Sequence, residues 1–351
     1  MHVKVVGAGS IGNHLSHAAR CLGWRVDLVD SDPKALERSR KEIYPSRYGE
    51  WDPEITLYTA DEAPTGSYDF IFIGTPPDHH ISLALAAVEE GPRAILVEKP
   101  LCGPDMAGVE ELSARAQERD VAVFVGYDHV VGEAAETVVE LLAAEQIGRI
   151  ETIDVEFREF WGGIFAAHPW LNGPADTYLG FWRHGGGASG EHSHAANLWQ
   201  HVAREAGCGE AVEIDAMLDY HVDGTTEYDK LCSLTLRTES GMVGRVVQDV
   251  VTAPPRKMGR VQGSDGFIEW WIGYKEGVDA VFWQFGNNER RERLINKIRP
   301  DDFIRELRHI SETVDGASKK SPISLANGIK TMRVIAAAHQ ASENGNRMRI
   351  V

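Results

Sequence analysis

"VKVVGAGSIG", residues 3–12, decides how the first third of the chain folds. A short apolar run of strand character leads directly into Gly7, Gly9 and Gly12, and a helical pattern begins behind them. In this G-x-G-x-x-G spacing the first glycine permits a tight turn and the second lets backbone approach a pyrophosphate. The third lets helix pack closely on strand. Ser10 and Ile11 complete the loop, at a helix start whose unpaired N–H groups favour a phosphate. Three glycines in six residues mean little in a chain that has 35 of them. Their placement between strand and helix makes the motif specific, as does Asp30, 18 residues past Gly12 at the end of a second strand-like run. A carboxylate there accepts hydrogen bonds from a free ribose diol and repels a 2′-phosphate, so NAD is expected in preference to NADP. Lys34 and Arg38, close by in sequence, read as solvated helix charges.

Working outward, the strand-like runs "RVDLVD" (25–30), "ITLYT" (55–59), "FIFIG" (70–74), "AILVE" (94–98) and "VAVFVG" (121–126) alternate with helical patterns. That alternation predicts a parallel sheet covered by helices on both faces. Beyond residue 126 the pattern changes. After a helical run (132–145) come longer, alternating stretches, "IETIDVEFREF", "AVEIDAMLDYHV", "KLCSLTLRTES", "MVGRVVQDVVT", "RKMGRVQGS" and "GFIEWWIG". Period-two alternation of this length predicts a large, mainly antiparallel sheet with one covered face. Two helices close the chain, one with Phe303, Leu307, Ile310 and Val314 in a single apolar stripe, the other over Pro322 to His339. The expected fold class is an α/β Rossmann dinucleotide-binding domain (1–125) plus an α+β domain (126–351) with an open sheet.

Composition excludes several functions. A formal charge of −17 argues against nucleic-acid binding, which draws on Lys and Arg neutralising phosphates. No run of about 18 apolar residues predicts a membrane span. The first strand begins at residue 2, which leaves no room for a signal peptide, so a cytoplasmic location is expected. Cys21, Cys102, Cys208 and Cys232 are scattered singly, as reduced thiols are.

Two further segments follow strands. "GTPPDHH" (74–80) leaves the fourth and "VEKPL" (97–101) the fifth, at the carboxyl ends where open α/β sheets bind ligands. A T-P-x-x-x-H stretch followed about 20 residues later by E-K-P, downstream of G-x-G-x-x-G, resembles the Gfo/Idh/MocA oxidoreductases, which include glucose–fructose oxidoreductase and inositol dehydrogenases. The resemblance implies that Thr75 and Pro76 line the cofactor and that His80 orients their loop. It implies that Glu98 and Lys99 lie beside the nicotinamide, with Lys99 catalytic, its ammonium holding the substrate oxygen. In "GYDHVV" (126–131) Tyr127 and Asp128 stand where the family carries an aromatic residue and asparagine near the substrate, a departure that implies different substrate contacts.

"GGGASGEHSHAANLWQH", residues 185–201, offers Glu191, His192, His194 and His201 behind three glycines. Here "HAANL" fits the family's H-x-x-[DN]-L, so the resemblance implies His194 as the proton acceptor. The family's orienting aspartate falls on Gly190. Glu191, three residues before His194 and on the same face if the helix is continuous, is the expected partner. His192 and His201 read as structural. No metal is expected, because histidines two apart diverge on a helix whereas zinc pairs use i, i+4 spacing. The long aromatic, glycine-rich stretch before the glycines reads as a pocket loop, with Arg158, Tyr178, Arg183 and His184 as candidate polar contacts to substrate.

The resulting expectation is an NAD-dependent dehydrogenase or reductase acting on a hydroxyl or carbonyl carbon of a sugar, polyol or cyclitol derivative. A homodimer or homotetramer formed through the C-terminal sheet is implied by the resemblance. Two alternatives have the same motifs: a redox-neutral, NAD-using glycosidase or lyase, and a non-catalytic dinucleotide-binding regulator.

Overall fold

The computed structural model describes residues 1–166, 170–316 and 320–350. Along the chain run β1 (His2–Val6), α1 (Ser10–Cys21), β2 (Arg25–Asp30), α2 (Pro33–Arg38), α3 (Tyr44–Tyr48), β3 (Ile55–Thr59), β4 (Phe70–Ile73), α4 (His80–Glu90), β5 (Ala94–Val97), α5 (Val109–Glu118) and β6 (Ala122–Val125). There follow α6 (Glu133–Ala143), β7 (Ile150–Arg158), α7 (Gly162–Ala166), α8 (Gly187–Glu191), α9 (His194–Glu205), β8 (Ala211–Asp223), β9 (Thr226–Thr238) and β10 (Val243–Asp249). The chain ends with β11 (Arg256–Gly263), β12 (Gly266–Lys275), β13 (Val278–Phe285), β14 (Arg291–Asn296), α10 (Asp301–Val314), α11 (Leu325–Asn344) and β15 (Met348–Arg349). It divides into two compact units.

The first unit takes in residues 1–102, 107–128 and 298–328. Its sheet is all parallel in the order β3-β2-β1-β4-β5-β6, the doubly wound arrangement expected from the sequence. Two of the inner strands, β4 and β5, are wholly apolar with every position buried, while β1 and β2 also bury Lys4 and Asp27. The strand order reverses between β1 and β4, so the loops after these two strands emerge side by side. A later segment differs from a simple division at residue 125, because α10 belongs with this unit. Its buried Phe303, Leu307 and Ile310 form the apolar stripe, and Phe303 stacks on His14 of α1 at 5.1 Å between ring centroids.

The second unit holds residues 103–106, 129–297 and 329–351. Nine strands form one sheet, β14-β13-β12-β11-β7-β10-β9-β8-β15, antiparallel except for the β7–β10 pair. Trp199, without solvent exposure, donates from its indole to the Ile153 carbonyl at 2.8 Å and fixes α9 on β7. The last helix starts at Leu325 and continues through Asn344, further than the apolar pattern suggests. In the aromatic stretch before the glycines, residues 167–169 lie outside the described residues, and the rest forms α7 and short 3-10 turns at 174–176, 178–180 and 182–184. Among the described residues no helix is long and apolar enough to cross a membrane.

Candidate active site

In the first unit the glycine loop has the geometry its motif requires. Gly7 has φ of +103°, and a β-carbon there would come within 2.9 Å of the Gly74 carbonyl oxygen; one at Gly12 would lie 1.7 Å from the Gly7 oxygen. At Gly9 a β-carbon would meet nothing within 4 Å, so open space stands over the second glycine. No side chain caps the first turn of α1, which leaves its N–H groups for a ligand. These features fit a pyrophosphate. Asp30 closes the loop from below: Oδ2 accepts from the Ala8 N–H at 2.7 Å and Oδ1 from the Asp32 N–H at 2.9 Å. Each oxygen keeps a second lone pair for a ribose hydroxyl.

His80 ties the two other loops together. Fully buried at the start of α4, it reaches the Thr75 carbonyl with Nε2 at 2.7 Å and the Pro100 carbonyl with Nδ1 at 2.9 Å. Burial pushes its pKa down to about 4, while the two carbonyls pull the other way. At the end of β4 Thr75 is partly open to solvent and Pro76 is exposed. Lys99 is half-buried behind β5, and Glu98 is buried. A Glu98 oxygen accepts from the Lys99 N–H at 3.2 Å, and the carboxyl packs so closely on Gly126 that a β-carbon there would stand 2.9 Å from its Cδ. Burial raises the proton affinity of Glu98; the neighbouring Lys99 charge opposes this and Asp128 adds to it. Tyr127 and Asp128 are both buried in this unit.

In the second unit His194 opens α9, half-buried, its ring 4.4 Å from that of His129 and 6.3 Å from that of Phe157. Glu191 is not on the same helical face. Helix α8 ends at Glu191, His192 leaves helical geometry (φ −96°, ψ 24°), and α9 starts two residues later, so same-face spacing does not apply. The Glu191 carboxylate accepts from the Tyr178 hydroxyl at 3.2 Å. Of the other substrate candidates, Arg158 is paired through Nε with Asp249 at 2.6 Å, its register partner across β7 and β10. Arg183 is exposed, pairs with Glu227 and lies over the Trp182 ring. His192 and His201 are buried, and burial pushes His201 down to about 4.

Comparison with known proteins follows the same division. The profile of an oxidoreductase family with an NAD-binding Rossmann fold matches residues 1–127, and that of the GFO/IDH/MocA C-terminal domain matches residues 135–269. The chain belongs to the Gfo/Idh/MocA family. It is an NAD-binding oxidoreductase. Among solved structures, levoglucosan dehydrogenase in complex with NADH and levoglucosan matches over 100% of this chain and 99% of its own, at 16% identity and a TM-score of 0.79. The aldose-aldose oxidoreductase from Caulobacter crescentus, complexed with glycerol, matches over 99% of both chains at 19% identity and 0.75. An Agrobacterium radiobacter oxidoreductase in complex with NAD+, L-tartaric acid and magnesium matches over 100% of this chain and 98% of its own at 18% and 0.75. At these identities the likeness is one of fold. Among curated protein sequences no relative was found.

In this Gfo/Idh/MocA protein several residues around the site were not singled out by their sequence. Asp229 of β9 accepts the Ser189 N–H in α8 at 2.7 Å, and Gln248 of β10 donates to the His192 carbonyl at 2.6 Å. These two side chains fasten the turn from which His194 projects to the sheet beneath it. Gln248 stands in step with the buried Gly244 and Val246, so a polar residue at an inward position was its available signal. Asp229 gave none. The β8–β9 pairing slips between Asp219 and Tyr220, leaving Lys230 as an extra residue, and this bulge turns Asp229 inward with Cys232. In the first unit Glu306 of α10 is wholly buried, and among the described residues neither carboxylate oxygen has a hydrogen-bond partner. Burial raises its proton affinity, and the charges of Glu98, Asp128 and Asp302 raise it further.

Proposed function

We propose that the protein transfers hydride between NAD and a hydroxyl or carbonyl carbon of a sugar, polyol or cyclitol derivative. The observation that carries this reading is Lys99, half-buried at the carboxyl end of β5, in the same unit as a glycine loop open to a pyrophosphate. The names of the similar structures, a levoglucosan dehydrogenase and an aldose-aldose oxidoreductase, support a carbohydrate-like substrate. NAD, when bound, supplies the hydride chemistry.

Removing hydride from an alcohol carbon requires the hydroxyl proton to leave nearly in step. The chain provides for this with two residues. The Lys99 ammonium holds the substrate oxygen and stabilises charge developing on it. His194 takes the proton, which an imidazole does well near neutral pH. Glu98, Thr75, Pro76 and His80 keep the lysine loop and the cofactor loop in register. Tyr127, Asp128, Arg158, Tyr178 and Arg183 are the candidate substrate contacts, and Glu191 supports Tyr178. A homodimer or homotetramer formed through the nine-stranded sheet is part of the proposal. The reading is tested by mixing the purified protein with NAD and a panel of sugars, polyols and cyclitols and following NADH absorbance. Turnover with at least one of them supports it; binding of NAD with no redox change across the panel refutes it in favour of a redox-neutral reaction or a regulatory role.

A further inference from the structure

A continuous chain of hydrogen bonds runs through the second unit behind the glycine run. Asp229, buried in β9, accepts the Ser189 N–H at Oδ2, 2.7 Å away, and faces the Ser189 hydroxyl with Oδ1 at 3.1 Å. The same hydroxyl lies 3.0 Å from Nε2 of His339 in α11, whose Nδ1 lies 2.6 Å from the hydroxyl of Tyr220 in β8. Ser189, Asp229 and His339 are all buried, Tyr220 is partly open, and the Trp182 ring stacks on the imidazole at 4.2 Å. Gly187 has φ of +74°, and a β-carbon there would sit 2.0 Å from Asp229 Oδ1, so the glycine run is what admits the carboxyl.

The donors and acceptors along this chain can be arranged in only two ways while the imidazole stays neutral. With Asp229 ionised, the Ser189 hydroxyl donates to Oδ1, His339 donates from Nε2 to Ser189, and Tyr220 donates to Nδ1. With Asp229 protonated, every bond reverses: Oδ1–H donates to Ser189, Ser189 to Nε2, and Nδ1–H to the Tyr220 oxygen. Passing from the first state to the second takes one proton from solvent at Tyr220. Each group passes its own proton inward, so the carboxyl gains one and His339 only changes tautomer.

We propose that Asp229, Ser189, His339 and Tyr220 form a one-proton relay that positions the α8–α9 turn, and with it His194, according to pH. The connection to His194 rests on the function proposed above; the relay itself does not. Burial pushes the Asp229 carboxyl up to about 7, partly opposed by its bonds from Ser189, and pushes His339 down to about 3, helped by the Arg183 charge. The carboxyl therefore titrates while the imidazole remains neutral. Cys232, beside Asp229 on β9, has its thiol held protonated by burial and by that carboxylate. Tyr220 is pushed upward by burial and by Asp229, Cys232, Glu227 and Glu343, in that order, and so stays a hydroxyl. Asp229 is left as the group that changes charge.

The test uses full-length protein with 15N-labelled histidine, the His339 signals being assigned by their loss in His339→Gln. From about pH 8.5 to about pH 5.5 His339 is expected to exchange an Nε2–H tautomer for an Nδ1–H tautomer without becoming imidazolium. Asp229→Asn, whose amide donates to Ser189 as the protonated acid does, should hold the Nδ1–H tautomer at every pH. Ser189→Ala should uncouple the ring from Asp229. A single tautomer across the range in the wild type, an imidazolium, or pH dependence surviving in Asp229→Asn would overturn the relay. On the activity side, the same pH step should appear in kcat for the wild type, with KM for NAD unmoved, and vanish in Asp229→Asn. If the tautomer exchange is present but kcat shows no such step, the positioning claim is overturned. Full turnover by His194→Ala would overturn the His194 assignment instead and leave the relay standing.

Discussion

Replacing His80 by alanine should show whether this ring is the clasp between the cofactor loop and the lysine loop. The substitution removes a buried donor and leaves the Thr75 and Pro100 carbonyls, 2.7 and 2.9 Å from its nitrogens, facing a cavity. A lost bond that strands a buried acceptor costs about 1–3 kcal/mol, and the vacated ring volume adds a comparable amount, so roughly 4 kcal/mol is expected at pH 7.5. The pH dependence makes the prediction sharper. Burial depresses the ring's pKa from 6.5 to about 4, so the unfolded chain binds a proton there before the folded one does. The stability that wild-type His80 contributes is complete above pH 6.5 and is lost as pH falls toward 4. At pH 5 the loss is about 1.5 units at 1.36 kcal/mol each, or about 2 kcal/mol. Urea denaturation of both proteins should show a gap of roughly 4 kcal/mol at pH 7.5 that narrows to roughly 2 kcal/mol at pH 5. A gap that widens on acidification would mean the ring is an imidazolium donating to both carbonyls, and a gap below about 1 kcal/mol at pH 7.5 would refute the clasp.

Three further outcomes follow from the same unit. Gly12→Ala drives a β-carbon to 1.7 Å from the Gly7 oxygen and should cost several kcal/mol of stability, measurable by thermal melting. Gly9→Ala, which meets nothing within 4 Å, should fold with an unchanged melting temperature yet bind NAD at least about tenfold more weakly by calorimetry; unchanged affinity would separate the loop from the pyrophosphate. Asp30→Ala should erase the preference for NAD over NADP, measured as a ratio of dissociation constants, and a preserved ratio would move cofactor selection elsewhere.

The parallel half of the fold was legible because its signals are local. The strand bounds of β2 and β3 coincide with their apolar runs, and the glycine, threonine–proline and glutamate–lysine–proline motifs each occupy one strand end. The second sheet was read less completely. β14 is an edge strand with five of its six residues exposed, so it carries no inward apolar row, and β15 is only two residues long. β13 carries Asp279 among its apolar residues and follows a hairpin turn at Gly277, which hides its start. Within the site, His194 was picked out by a sequence pattern, but its surroundings come from distant strands. Asp229 reaches α8 because of a bulge that breaks the period-two reading, and Glu306 enters the first unit from a helix some 200 residues beyond Glu98. The single-helix geometry expected for Glu191 and His194 does not hold, because α8 stops at Glu191 and α9 begins at His194.

The central claim is that this NAD-binding chain oxidises or reduces a carbohydrate-like substrate with Lys99 holding the reacting oxygen. It is tested most directly by comparing wild type and Lys99→Ala on the best substrate from the panel, with turnover followed by NADH absorbance and NAD affinity by calorimetry. The account predicts that kcat falls by at least about a hundredfold while the NAD dissociation constant changes by less than about threefold. Turnover within about fivefold of wild type would contradict it.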